Sequence, residues 1–133
     1  MLDNLVDAKV EIVLPNYNSE KYLADTVDSI INQTFKNWKL TIVDGNSNIA
    51  TQEILKTYMK HPNINIIRLK RNKKAGFCRN LAIRKSKSDY IAFIDSDDIW
   101  KRDKLKLQLN YMLKNNYDFT YTYYKTFGLK FKK

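Results

Sequence analysis

Three carboxylates in four residues, Asp95, Asp97 and Asp98, stand directly after the apolar run Tyr90 to Ile94. Like charges this close repel one another, and a chain of net charge +10 has no compositional need for them. A single aspartate would cap a helix starting near Lys101. Hard carboxylate oxygens in this arrangement suit Mn2+ or Mg2+ better. Such ions keep several waters and bind through one or two carboxylates plus substrate phosphates. A second constellation joins Arg68, Lys70, Arg71, Lys73 and Lys74 to Gly76, with Arg79 and Asn80 just beyond. Cations beside a glycine that opens a helix suit an anionic group. Two further loops carry polar side chains. In Pro15-Asn16-Tyr17-Asn18-Ser19-Glu20, Ser19 reads as a helix N-cap, Tyr17 offers a flat face for a nucleobase, and Asn18 and Glu20 offer polar contacts. Asp44-Gly45-Asn46-Ser47-Asn48 reads equally as an Asp-Gly turn and as a carboxylate accepting hydrogen bonds from a ligand.

Other chemistries lose their support. Neither GxGxxG nor GxxxxGK[ST] is present. Cys78 is the sole cysteine, so no intrachain disulfide can form, and it reads as a small buried hydrophobe. The sole histidine, His61, precedes Pro62 in an expected turn, which leaves no Cys/His nucleophile pair and no zinc ligand set. A phosphatase with an aspartate nucleophile needs its acidic pair after an early strand, whereas here it follows the fourth. The positive charge attracts polyanions: nucleic acid, anionic lipid or a diphosphate ligand. Nucleic acid is disfavoured, because the acidic cluster would repel a phosphate backbone.

Positioning these residues requires alternating strands and helices. Strands are expected at Val10 to Leu14, Leu40 to Val43, Ile64 to Leu69, Tyr90 to Ile94 and Asp118 to Tyr124, from their β-branched and aromatic runs. Helices are expected at Glu20 to Gln33, Thr51 to Lys60, Gly76 to Lys85 and Lys101 to Lys114, from apolar residues at helical spacing. The fourth strand is apolar throughout, as in a strand covered on both faces. The alternation demands an α/β fold: a mostly parallel sheet with helices on both faces, binding its ligand beyond the carboxyl ends of the strands. All four polar loops lie at those ends.

The succession VLPNYNSEKYLADTVDSIINQTFKNWKLTIVDGNSN, then AGFCRNLAIRKSKSDYIAFIDSDDIW, resembles family 2 glycosyltransferases of the A-type, Rossmann-like fold. The resemblance runs from about Val10 to Asn116. It implies a uridine pocket lined by Pro15, Tyr17, Asn18 and Glu20, with Asp44 bonded to the uracil ring and Gly45 beside it. Arg79 and Asn80 would lie near the donor phosphates and sugar. Asp95-Ser96-Asp97 would be the DxD motif, Asp95 contacting ribose or sugar, Asp97 and Asp95 serving the metal, and Asp98 supporting the loop. Two places where the family often has aspartate look like Gly45 and Asn48, and Asn48 is expected to loosen its loop.

The resemblance further implies a nucleotide-sugar donor, in the first place a UDP-sugar, and a glycan or lipid-linked acceptor, with inversion. The chain is expected to form a single domain over 1–133, the donor-binding half, with the acceptor region and catalytic base lying outside it. A donor-binding remnant without turnover is the alternative. The polar start MLDNLVDAKVEIVLP does not read as a signal peptide, so the expected location is the cytoplasm. Tyr121, Tyr123, Tyr124, Phe127 and Phe131, with the terminal lysines, are expected to seek a partner: self-association or contact with the inner face of the membrane.

Overall fold

The computed structural model describes residue 5 and residues 7–127. Four parallel strands form one sheet: β1 (Val10–Asn16), β2 (Trp38–Asp44), β3 (Ile64–Arg68) and β4 (Tyr90–Phe93), in the order β3-β2-β1-β4. The helices between and after them are α1 (Leu23–Ile31), α2 (Ile49–Tyr58), α3 (Ala75–Lys85) and α4 (Lys104–Asn115). The order reverses between β1 and β4, so a crevice opens beyond their carboxyl ends.

Helices cover both faces, as the alternation predicts. Ile12, Leu14, Leu40 and Ile42 turn to one face and are fully buried with Leu23, Val27 and Ile30 of α1, Leu55 of α2, and Leu105 and Leu109 of α4. Val13 and Val43 turn to the other face and meet Cys78 and Ala82 of α3. Period-two alternation in the strands thus divides the core into two layers. Each fully buried aliphatic side chain contributes about 1.5–3 kcal/mol.

Four expectations need correction. The fifth strand, Asp118 to Tyr124, does not form. Asn116 ends α4 in the left-handed region at φ 55°, and residues 117–127 find no ladder partner among the described residues. Aromatic and threonine content favours a strand only where a neighbour supplies hydrogen bonds and a packing face. Secondly, β4 is an edge strand: Tyr90, Ile91 and Ala92 are half-buried and Phe93 is exposed. Thirdly, Ser19 is not the N-cap of α1. The helix starts at Leu23, and the Ser19 carbonyl instead closes a turn with the N–H groups of Tyr22 and Leu23. Helix α4 likewise begins after Asp103 and not near Lys101.

Two buried polar side chains hold the acidic loop from behind. Thr26 of α1, fully buried, donates to the Ser96 carbonyl at 3.1 Å. Gln33, also fully buried, donates to the Lys101 carbonyl at 2.7 Å and accepts from the N–H of Leu105 at 3.0 Å. Helix α1 and the residue just past its C-cap, Gln33, therefore fix both ends of the passage from the acidic cluster to α4. His61 occupies its expected turn, accepting from the N–H of Asn63 and stacking on Trp38. Among the described residues, no helix is long and apolar enough to cross a membrane. Phe131 and the last lysines lie outside the described residues.

Candidate functional site

The acidic cluster occupies the turn after β4, where the N–H of Asp98 donates to the Asp95 carbonyl. Eight residues, a further turn among them, separate Asp95 from the first residue of α4, so none of the three aspartates caps that helix. Arg79, in the second turn of α3, reaches across the crevice and donates to Asp95 at 2.7 Å. The pair is part-exposed, which keeps its net stabilisation small. Its value is geometric: it joins the α3 side of the site to the acidic turn. Asp97 remains exposed, with no ion-pair partner among the described residues. Burial, followed by the nearby charges of Asp97 and Asp95, pushes the Asp98 carboxyl up. Arg79, Phe93, Ile94, Asp95 and Asp98 line a shallow cavity of about 330 Å³.

The donor set fits a hard divalent cation in one way only. Among the described residues no three His, Cys, Asp or Glu side chains converge on a common point. A protein cage is therefore not built, and an ion would need ligands from a phosphate-bearing molecule as well. Asp97 and Asp98 carry no ion pair among the described residues, whereas Asp95 already gives one oxygen to Arg79.

The loops after β1 and β2 are bound into one unit. Asp44 is fully buried at the end of β2. Its carboxylate accepts from Asn16 Nδ2 at 2.8 Å, from the Ser47 N–H at 3.1 Å, from Gln52 Nε2 at 2.8 Å and from the Ser47 hydroxyl. Asn16 in turn accepts from the Ser19 hydroxyl. Asp44 thus organises the turn, through four donor groups from three residues.

Asn48 reverses its expectation. Its Oδ1 caps α2 by accepting from the Thr51 N–H, and its own N–H donates to Asn18 at 2.8 Å. Its Nδ2 donates to Glu20 at 3.2 Å, and the Thr51 hydroxyl donates to the other Glu20 oxygen at 2.9 Å. An amide carries donor and acceptor together, so Asn48 ties the two loops where an aspartate would repel Glu20. Its own backbone N–H, then the Thr51 and Asn48 side chains, hold the Glu20 carboxyl below the usual range. Asn18 adopts φ 47° and receives Asn48, while its own N–H donates to Ser47.

Tyr17 is half-exposed, as a stacking face should be. Gly45 lies against it and against Asn72 of the β3–α3 loop. A Cβ at position 45 would stand 2.5 Å from Asn72 Oδ1 and 3.4 Å from the Tyr17 ring. The glycine therefore serves close approach, and Asn72 fills the space a side chain would take. Pro15 is half-buried in β1, and Asn80 is exposed on α3 near Arg79. Cys78 is buried as expected, and burial pushes its thiol up, which leaves it inert. Asn16, Ser47, Thr51, Gln52 and Asn72 were not singled out from sequence. Only their places beside the candidate loops could have signalled them.

The Glycosyl transferase family 2 model matches residues 11–132, past the point near Asn116 where the motif resemblance ends. An Escherichia coli relative, the UDP-Glc:alpha-D-GlcNAc-diphosphoundecaprenol beta-1,3-glucosyltransferase WfgD, is 36% identical over 120 residues, covering 90% of this chain and 47% of the relative. The chain spans less than half the length of the curated relatives it matches. The structure of Staphylococcus aureus TarS 1–349 in complex with UDP superposes with TM-score 0.75 at 28% identity, over 81% of this chain and 33% of that one. A mannosyltransferase from Pyrobaculum calidifontis, in complex with GDP-Man and Mn2+, superposes with TM-score 0.72 at 19% identity, over 80% and 33%, a likeness of fold. With the sequence match over nearly its whole length and the fold in agreement, this chain belongs to glycosyl transferase family 2.

Proposed function

We propose that this single domain is the donor-binding part of a glycosyltransferase. It takes a nucleotide-diphosphate sugar, in the first place a UDP-sugar, and the sugar passes with inversion to a glycan or lipid-linked acceptor. The observation that carries the reading is the crevice between β1 and β4, where Arg79 meets Asp95 while Asp97 stays free. The UDP complex of TarS and the UDP-glucose and lipid-diphosphate named for the E. coli relative support the choice of nucleotide and acceptor.

In this proposal Tyr17 stacks on the base, Pro15, Asn18 and Glu20 shape its pocket, and Asp44 accepts a hydrogen bond from the base with Gly45 beside it. Arg79 and Asn80 serve the phosphates and sugar, and Asp95 and Ser96 serve the ribose side. Asp97, with Asp95 beside it, holds Mn2+ or Mg2+. A bound divalent ion would act as a Lewis acid on the leaving diphosphate. Arg79 would add a fixed positive charge where charge builds as the bond to the sugar breaks. An attacking hydroxyl needs a general base, and no residue described here is assigned that role. Contact with the cytoplasmic face of a membrane, where a lipid-linked acceptor resides, belongs to the same proposal.

Calorimetric titration of UDP, with and without Mn2+, into the wild type and Asp97→Ala tests the reading. Metal-dependent binding that the substitution removes is expected. A folded wild type that ignores UDP under both conditions would sink it. Donor binding without transfer is the second reading of the same site. Metal-dependent hydrolysis of a UDP-sugar by this chain alone would exclude that second reading.

A further inference from the structure

We propose that Gln52 is a positioning residue that competes with the donor's base for Asp44. The inference rests on the reading that Asp44 receives the base. A carboxylate offers about four lone-pair directions. Asn16, Gln52 and two groups of Ser47 already engage the two Asp44 oxygens. The carboxylate is also fully buried, so an incoming base gains a hydrogen bond there only if one of these donors leaves.

Three of the four donors are fixed. Asn16 sits buried in β1, bonded to Ser19 as well. The Ser47 N–H belongs to the backbone, and the buried Ser47 hydroxyl is held a second time by the Asn18 N–H. Gln52 differs. It stands half-buried in the first turn of α2, and among the described residues the only other hydrogen bond of its Nε2 is a long one, 3.3 Å to the Ser47 carbonyl. A glutamine side chain has three rotatable bonds and swings into solvent at little cost. Its amide N–H also presents the same group as the imide N–H of a uracil ring. Base binding is then an exchange of one N–H donor for another at Asp44 Oδ2. Gln52 stands in for the base while the site is empty, and the affinity for the base is lowered by the bond that must be released.

The test measures UDP binding by calorimetry with Mn2+ for the wild type, Gln52→Met and Gln52→Asn. Methionine keeps the length and the helix propensity without a donor. Asparagine is one methylene short of Asp44 and provides a second variant should the first fold poorly. Hydrogen bonds to charged groups are strong enough for UDP to bind about tenfold more tightly to either variant. The same titration with N3-methyluridine diphosphate, which lacks the imide N–H, should show no gain. Unchanged or weaker UDP binding in a folded variant overturns the proposal. So does an equal gain for the methylated nucleotide, because that would mean mere loosening of the pocket. Wild type and variants that all fail to bind UDP would overturn the donor-site reading along with this one. Binding by the wild type without a gain in the variants overturns this one alone.

Discussion

Replacing Asp44 by asparagine changes one heavy atom and should cost this fold a large part of its stability. The buried carboxylate serves four donors and, among the described residues, no cation. In Asp44→Asn one oxygen becomes an NH2 group. Placed at Oδ2, it faces the Ser47 N–H, which has no freedom to turn, although Gln52 can flip its amide to accept. Placed at Oδ1, it faces Asn16 Nδ2, although the Ser47 hydroxyl can rotate. In either orientation at least one buried donor is orphaned, at about 1–3 kcal/mol. The remaining bonds also lose their charge assistance. The expected loss is about 2–4 kcal/mol from a total of the order of 5–15 kcal/mol. For a chain of this size that corresponds to a fall in Tm of roughly 10 °C. Urea unfolding at pH 7, followed by circular dichroism, measures it directly. A loss below about 0.5 kcal/mol would refute the reasoning. It would mean that Asp44 does not organise the β1 and β2 loops and is a free ligand-facing carboxylate.

Thr26→Val keeps the shape of the buried side chain but removes its bond to Ser96. It should cost about 1 kcal/mol in urea unfolding and weaken Mn2+-dependent UDP binding several-fold; unaltered binding would show that the acidic turn holds itself. Gly45→Ala places its Cβ against the movable end of Asn72, so stability should change by less than about 1 kcal/mol while UDP affinity drops. Equal affinity would remove Asn72 and Gly45 from the base pocket. Burial pulls the Lys104 ammonium, which lies 4.2 Å from the Trp100 ring centroid, down to about 8. Above that pH the unfolded chain holds this proton and the folded chain does not, up to an unfolded value of about 10.4. The contribution of Lys104 to stability therefore rises with pH in that window, and Lys104→Met should flatten the rise; identical slopes would count against it. Finally, Tyr121, Tyr123 and Tyr124 are 83–101% exposed, so light scattering should show self-association that grows with concentration. A monomer throughout would leave these rings without that role.

The sequence by itself determined the layered α/β plan. Apolar runs of period two and 3.6 alternate, and only a parallel sheet with helices on both faces buries both kinds. It also determined that the polar loops would gather at one end, because every strand in such a sheet points the same way. The acidic cluster was legible for a local reason: three neighbouring carboxylates are costly wherever the chain places them. What the sequence could not carry was partnership. Asp118 to Tyr124 has the composition of a strand, but a strand exists only through a neighbour's hydrogen bonds, and composition names no neighbour. Phe93 looked like core, but the strand order made β4 an edge. Asn48 looked like a loss of charge, yet the fold sets it beside Glu20, where an amide donor binds and a second carboxylate would repel. Asp44 gave no hint of its four donors, because Asn16 and Gln52 approach it from different elements. Tertiary structure decided these points, since hydrogen bonding depends on which groups meet in space.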